Sequence, residues 1–415
     1  MKLLFLAHRI PFPPNKGDKI RSYNELRGFV ERGNEVHLLA FADNRRDISY
    51  RIFLAQLCAS AEIVPLHRTD AKLRAAAKLM TRQPLSLGYF ESWKMKRLVR
   101  QSIAQHDFDA VFAYSSTMAQ YVPRELWART IVDLVDVDSE KWRDYASFAQ
   151  PPKSWLYNLE WKRLRRYEHE IVRRFAFTIL TTTREASLLD DLDEFTRRAR
   201  LRIINNGVDL DYFQPDGEES ISPTPRLVFV GAMDYYANIE GVTWFVEKVF
   251  PLIRRIEPRA EFFIVGSNPT SEVERLGRCR GVSVTGLVYD VRPFMRSATA
   301  CVVPLRIARG VQNKVLEAMA AGKAIVATPE AVAGLRVRDG KELLLARTPE
   351  EFADATVSLI RQESLRRELS RKSLRFVETE HDWEPIVRSV AELTESVVRT
   401  HSTYAGNDLR TIIHK

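Results

Sequence analysis

The chain has 415 residues, 45% of them apolar and 28% charged, with a net charge of +9. At roughly 150 residues per domain this predicts two or three domains with sizeable cores and excludes a disordered or fibrous chain. Three scattered cysteines, Cys58, Cys279 and Cys301, with no Cys-x-x-Cys, exclude a disulfide scaffold and fit a reducing compartment, while the absence of long apolar runs predicts no signal peptide and no transmembrane helix.

"KLLFLAH" (2–8) predicts a short buried strand. The Pro/Gly loop "RIPFPPNKGDK" follows, then a helix over 20–31 ended by Gly33, then the strand "EVHLLAF". Strand, loop, helix, strand is the opening of a parallel α/β domain. Further strands are predicted at 61–66, 110–114, 130–134 and 177–181, with helices between them and a long basic helix over 153–175. Residues 201–226 are rich in Asn, Asp, Gly and Pro and carry an acidic and serine cluster, as an interdomain link does. A second series then begins. "RLVFVGAM" is a strand ending at Gly231, "GVTWFVEKVFPLI" a helix, and "AEFFIVGS" a strand ending at Gly266. "VSVTGLV", the short helix "RPFMRSA" and the strands "TACVVPL" and "KAIVATP" complete it.

The expectation is two doubly wound domains in tandem, with ligands bound beyond the carboxyl ends of the strands, in a cleft between the domains. The predicted parts are an N-terminal domain over 1–205, a linker over 206–226 and a second domain over 227–380. A C-terminal helix over 381–400 and an aperiodic tail over 401–415 follow.

The segment "ARGVQNKVLEAMAAGKAIVAT" (308–328) carries the most specific chemistry. A helix N-terminus offers unpaired amides and the positive end of a dipole, which suit a phosphate. Gly310 removes a side chain where an anion meets backbone. If the helix starts at Gly310, then Gly310, Lys314 and Glu317 share one face at i, i+4 and i+7. Glu317 then lies about 10 Å along the axis and leans back toward the N-terminus. A carboxylate placed there accepts both hydroxyls of a ribose. Diphosphate plus ribose is a nucleotide.

"VLEAMAAGKAIVAT" resembles the nucleotide-sugar helix of the retaining GT-B glycosyltransferases of family four. The resemblance extends over "NNGVDLDYFQP", "FVGAMD", "FFIVGS" and "VTGLVYDVRPFMRSATACVVPL". "PFPPNKGDKIRSYNEL", "VDLVDVDSEKWRDYA" and "RIARGVQNKVLEAMA" resemble more narrowly the sugar transferases of PEP-CTERM/exosortase-linked exopolysaccharide systems. The resemblance implies a GT-B fold of two Rossmann-like domains, with a C-terminal helix crossing back to the first. It implies sugar transfer from a nucleotide-diphosphate donor with retention and without a metal or other cofactor. The implied partners are a nucleotide sugar and a glycan or polyprenyl-linked acceptor, at the cytoplasmic face of the plasma membrane. Glu317 matches the ribose ligand. Gly310, Val311, Gln312, Asn313 and Lys314 match the diphosphate site, and Gly231 and Gly266 the donor-domain loops. The chain departs from the family at Arg309, where relatives carry a glutamate, and at Ala232 and Asn238, where they carry an arginine and a lysine. Arg306, Arg309 and Lys314 are the expected replacement cations.

On the acceptor side Gly17 matches the glycine loop after the first strand, with Asp18 and Lys19 as polar neighbours. In "VDVDSEKW" Asp136 and Asp138 are candidates for positioning an acceptor hydroxyl or taking its proton, rather than metal ligands. "EWKRLRRYEHEIVRRF" (160–175) mixes basic and aromatic residues; its first reading is a solvated helix face, and its sharper one a membrane-surface patch near a lipid-linked acceptor. No pattern points to nucleic acid. The alternatives are a GT-B-like sugar-nucleotide epimerase and a degenerate, non-catalytic subunit.

Overall fold

Residues 3–7 of β1 (Lys2–Ala7) are buried on both faces, as a continuous apolar strand in the middle of a parallel sheet must be. In the computed structural model, which describes residues 1–215 and 224–412, β1 pairs with β2 (Glu35–Ala42) and β4 (Ala110–Tyr114). Together with β3 (Ser60–Pro65), β5 (Thr130–Val135), β6 (Phe177–Leu180) and β7 (Leu201–Ile203) they form a parallel sheet of order β3-β2-β1-β4-β5-β6-β7. A second parallel sheet contains β8 (Arg226–Val230), β9 (Glu261–Val265), β10 (Val282–Gly286), β11 (Ala300–Val303), β12 (Ile325–Ala327) and β13 (Leu344–Leu345). Its order is β10-β9-β8-β11-β12-β13. Both orders reverse direction once, between β1 and β4 and between β8 and β11. In such sheets the crevice outside the carboxyl ends at that reversal receives the ligand.

The chain divides into two units, Met1–Ile204 with Glu384 onward, and Asn205–Trp383. The C-terminal helix Trp383–Ile412 thus returns to the first unit. Gly28, on the helix Gly17–Glu31, makes the approach possible: a Cβ there would lie 1.8 Å from Val387 Cγ1. Arg32 Nη2 donates to Glu384 Oε1 at 2.9 Å beside it. Of the expected linker, residues 206–215 belong to the second unit. Asp209 caps a short helix there, and the acidic and serine cluster over 216–223 lies outside the described residues.

Four elements differ from expectation here. The tail predicted to lack structure continues the C-terminal helix to Ile412, because no proline interrupts it; residues 413–415 lie outside the described residues. The helix expected over 241–253 begins earlier, at Tyr236. It widens into a π-helical turn at Phe245–Val249 before Phe250–Ile256. Pro251 explains the turn, since its ring crowds the carbonyl four residues back and the Phe250 amide bonds Phe245 O instead. β7 and β13, of three and two residues, are too short to leave an alternation in the sequence.

Candidate functional site

In the second unit the loop after β11 leads to the helix Asn313–Ala320. Val315, Leu316, Ala318, Met319 and Ala320 are buried and fix the helix on its sheet. The helix starts at Asn313, three residues later than a shared face with Gly310 requires. Gly310 is therefore a loop residue, held at φ +60°. It packs back to back with Gly334, where a Cβ would lie 2.5 Å from Gly310 O. Two glycines in contact leave the loop backbone bare, which suits an anion better than the expected helical face does. Gln312 stands at the N-cap without capping: its Nε2 donates to Arg309 O at 2.7 Å.

Lys314 and Glu317 do share a face and are half-buried. Burial lowers the Lys314 ammonium to about 8 against the pull of Glu317, and raises the Glu317 carboxyl against the pull of Lys314. The Lys314 ammonium lies 5.6 Å from the centre of the Phe229 ring on β8, so this helix sits beside the strand that ends at Gly231. Gly231 and Gly266 touch. A Cβ on Gly266 would lie 1.8 Å from Gly231 O, and the Gly231 amide donates to Val265 O at 3.0 Å.

Asn238 explains one departure from the family. It is 3% exposed, its Nδ2 donates to Ala232 O at 2.8 Å, and its Oδ1 is buried with no hydrogen-bond partner. A lysine at this depth would need another partner, so the turn after β8 is organised by an amide rather than a cation. Arg306 is placed differently from expectation. It is ion-paired with Glu240 through Nε at 2.8 Å and through Nη2, and its guanidinium lies 5.5 Å from the Trp244 ring. A phosphate would have to compete with Glu240 for it. Arg309 is half-buried.

In the first unit polar groups gather at the carboxyl ends of β1 and β5. Asp18 is paired with Arg9, and its Oδ2 is 3.5 Å from His8 Nε2. Burial would raise Asp18, but the His8 hydrogen bond and the Arg9 charge outweigh it and hold the carboxyl well below the usual range. The His8 ring stacks on Tyr114 at 5.8 Å, and its Nδ1 is buried with no hydrogen-bond partner. His8 is the functional candidate that sequence reading missed, although "KLLFLAH" ends on it at the strand's carboxyl end. Lys19 is not an open member of the loop. Its ammonium is 4% exposed and bonds Asp47 Oδ2 at 2.7 Å. Gly17 begins the first helix.

Asp136 and Asp138 follow a strained turn. Val135, a β-branched residue, has φ +68°, and the Asp136 amide donates to Leu134 O at 2.8 Å across it. Three bonds over-determine this geometry. Val135 N donates to Asp133 Oδ1, Thr181 N to Val135 O, and Val137 N to Glu185 Oε2, each at 2.8 Å. Asp133 is itself clamped by Arg21 Nε at 2.7 Å, and Arg21 Nε lies 3.1 Å from Glu25 Oε1, all three side chains being nearly fully buried. Strain held this firmly gathers at functional sites. Burial and then the charge of Glu185 push Asp136 up to about 7, against a hydrogen bond from Thr181 Oγ1 at 2.9 Å. Burial also raises Asp138, which feels the charges of His8 and Asp18. His8, Asp18 and Asp138 are thus one electrostatic group, brought together from three separate segments.

The aromatic and basic residues of the long helix Lys153–Arg174 face inward more than expected. Trp161 Nε1 donates to Glu140 at 3.0 Å, and Arg165 binds Glu140, Asp190 and Asp191. Leu73, Met80, Trp93 and, at the start of that helix, Trp155 are among the exposed apolar side chains of the first unit, as are Ile52 and Phe195.

Residues 224–362, which contain Gly231, Gly266 and the loop and helix from Gly310 to Glu317, match the family model described as "Glycosyl transferases group 1". Over 222 residues the chain is 24% identical to an uncharacterized glycosyltransferase of Methanocaldococcus jannaschii. The match covers 50% of this chain and 55% of that protein, so it spans about half the length of the curated relative. Among solved structures it is similar to a sucrose-phosphate synthase from Thermosynechococcus elongatus, with a TM-score of 0.72 at 16% identity, covering 96% of this chain and 100% of that one. It is also similar to Anabaena HepE in complex with UDP-glucose, with a TM-score of 0.65 at 15% identity, covering 95% and 100%. The chain therefore has the GT-B fold, two doubly wound parallel domains, and its residues 224–362 form a group 1 glycosyl transferase domain.

Proposed function

We propose that the protein is a retaining, metal-independent glycosyltransferase that moves a sugar from a nucleotide-diphosphate donor to a glycan acceptor. The observation that carries this reading is the bare loop of Gly310 and Gly334 running into the helix with Lys314 and Glu317. It lies at the carboxyl end of β11, beside the reversal of strand order, inside the matched domain. In this reading the backbone from Gly310 to Lys314 holds the diphosphate, with Arg309 beside it, and Glu317 holds the ribose. Gly231 and Gly266 give the donor room. Uridine is the first nucleotide to test, since HepE is similar in fold and was solved with UDP-glucose.

The first unit is assigned the acceptor, with Asp136 or Asp138 as the group that takes or steers the hydroxyl proton. An acid raised to about 7 is suited to that task at neutral pH. The resemblance to exosortase-linked systems makes the acceptor a polyprenyl-linked glycan of exopolysaccharide assembly at the inner membrane face. The exposed Leu73, Met80, Trp93 and Trp155, with Lys72, Lys94 and Lys153 close by in sequence, are the surface for that membrane. Among the described residues no helix is long and apolar enough to cross it.

The test is a thermal-shift panel of nucleotide sugars, followed by transfer assays with a lipid-linked glycan. A uridine-diphosphate sugar is expected to raise the melting temperature and to be consumed only when acceptor is present. A chain that no nucleotide sugar stabilises, and that transfers none, would overturn the proposal.

A further inference from the structure

The amino ends of the first sheet carry a cluster that sugar transfer does not use. Glu35 and His37 stand two residues apart at the start of β2, so both side chains leave the same face. The pairing of β2 with β3 sets His37 opposite Ser60, whose Oγ lies 2.8 Å from His37 Nδ1. That contact occupies one ring nitrogen and leaves Nε2 aimed at Glu35 Oε1, 3.0 Å away. His106, which ends the helix Trp93–Gln105 just before β4, brings its ring to 4.2 Å from that of His37. Phe108 backs both rings, at 5.3 and 5.7 Å. One ligand atom from each of Glu35, His37 and His106 lies within 4.8 Å of the others.

We propose that Glu35, His37 and His106 bind a divalent transition ion of the zinc class, which clips the start of β2 to the segment entering β4. Two imidazoles and a carboxylate are the donor set this class of ion prefers over the oxygen-rich sets of magnesium and calcium. In a tetrahedral zinc site with bonds of about 2.0–2.2 Å, ligand atoms lie about 3.3–3.6 Å apart, so the cluster needs only side-chain adjustment to close. Ser60 supplies the outer hydrogen bond that fixes the tautomer of a ligating histidine. His37 is 4% exposed and holds the site in place, while the exposed Glu35 leaves a fourth position open to water. Lys2, 3.3 Å from Glu35 Oε1, is the competitor the ion must displace. The cluster sits at the amino end of the sheet whose carboxyl end carries His8 after β1 and Asp136 after β5. Its role is structural, and it leaves the proposed transfer metal-independent.

The experiment is a calorimetric titration of the chelator-stripped full chain with zinc alone, paired with thermal melting and with cobalt absorption spectra. One equivalent is expected to bind, to raise the melting temperature, and to give the intense visible bands of four-coordinate cobalt. H106A and E35Q should each weaken zinc at least tenfold while keeping the native circular dichroism. H67A, at an exposed histidine elsewhere, should leave zinc binding unchanged, and stripping should not change nucleotide binding. Zinc binding that is absent in the wild type, or equal in wild type, H106A and E35Q, overturns the proposal. Because H106A removes a half-buried ring rather than the buried His37, loss of binding in a folded variant reads on the site and not on the fold.

Discussion

Glu317 and Lys314 are each pushed toward neutrality by burial and each held charged by the other. A glutamate in that setting, with Lys314 opposing its neutralisation, is placed to accept from a vicinal diol. Hydrogen bonds to charged groups contribute about 1.5–3 kcal/mol, so Glu317→Ala should weaken nucleotide binding about tenfold to a hundredfold, with Glu317→Gln recovering part of the loss. Titration with UDP measures both. Asp136 gives a pH prediction. Its folded value, about 7, lies above the ordinary 3.8, so its neutral form favours the folded state. That contribution is fully present below pH about 4 and is lost as pH rises through about 7. Relative to wild type, Asp136→Asn should therefore gain about 2–3 kcal/mol between pH 5 and pH 8 in denaturant unfolding. If Asp136 is the base, the transfer rate rises through the same interval and that limb disappears in the variant. The residue identities here were legible in the sequence: a lone glutamate among small apolar neighbours, and Asp-Val-Asp after a strand. Their charge states were not, because burial and Glu185 set them.

At the scale of elements the two sheets place their bare backbone by glycine contacts. Gly266 cannot become alanine without a clash against Gly231 O and an unfavourable φ of +151°, so Gly266→Ala should cost about 3 kcal/mol or more in chemical denaturation. A Cβ at Gly334 would also meet backbone, 2.5 Å from Gly310 O, but without a positive φ. Gly334→Ala should therefore lower the unfolding midpoint by less than Gly266→Ala does, and should weaken UDP in titration. A Gly334→Ala variant as unstable as Gly266→Ala, or with unchanged UDP affinity, would contradict this. Strand positions were readable because buried parallel strands are continuous apolar runs. The start of the helix at Asn313 was misjudged. Gly310 suits a helix start in the sequence, and only its contact with Gly334, 24 residues on, fixes it as loop.

For the whole molecule, nucleotide binding assigned to one unit predicts a localised response. In hydrogen exchange with saturating UDP, protection should rise at the amides around 231, 266 and 310–317 in Asn205–Trp383, and the sheet of the first unit should be unchanged. At a hundredfold excess over the dissociation constant the stabilisation is about 2.7 kcal/mol. Protection confined to the first unit would refute the assignment. The sequence by itself determined two α/β series, their parallel strands, the glycines at strand ends and the helix that carries Lys314 and Glu317, because each is written in a few adjacent residues through hydrophobic periodicity and backbone freedom. Only the tertiary structure decided the rest. Arg21 meets Asp133 across 112 residues, His8 meets Asp18, Asn238 braces a turn through Ala232 O, and Glu35 and His37 meet His106. These are contacts between segments with no shared period. The free energy that selects them comes from satisfying polar groups once the apolar strands have buried them, which no local pattern records.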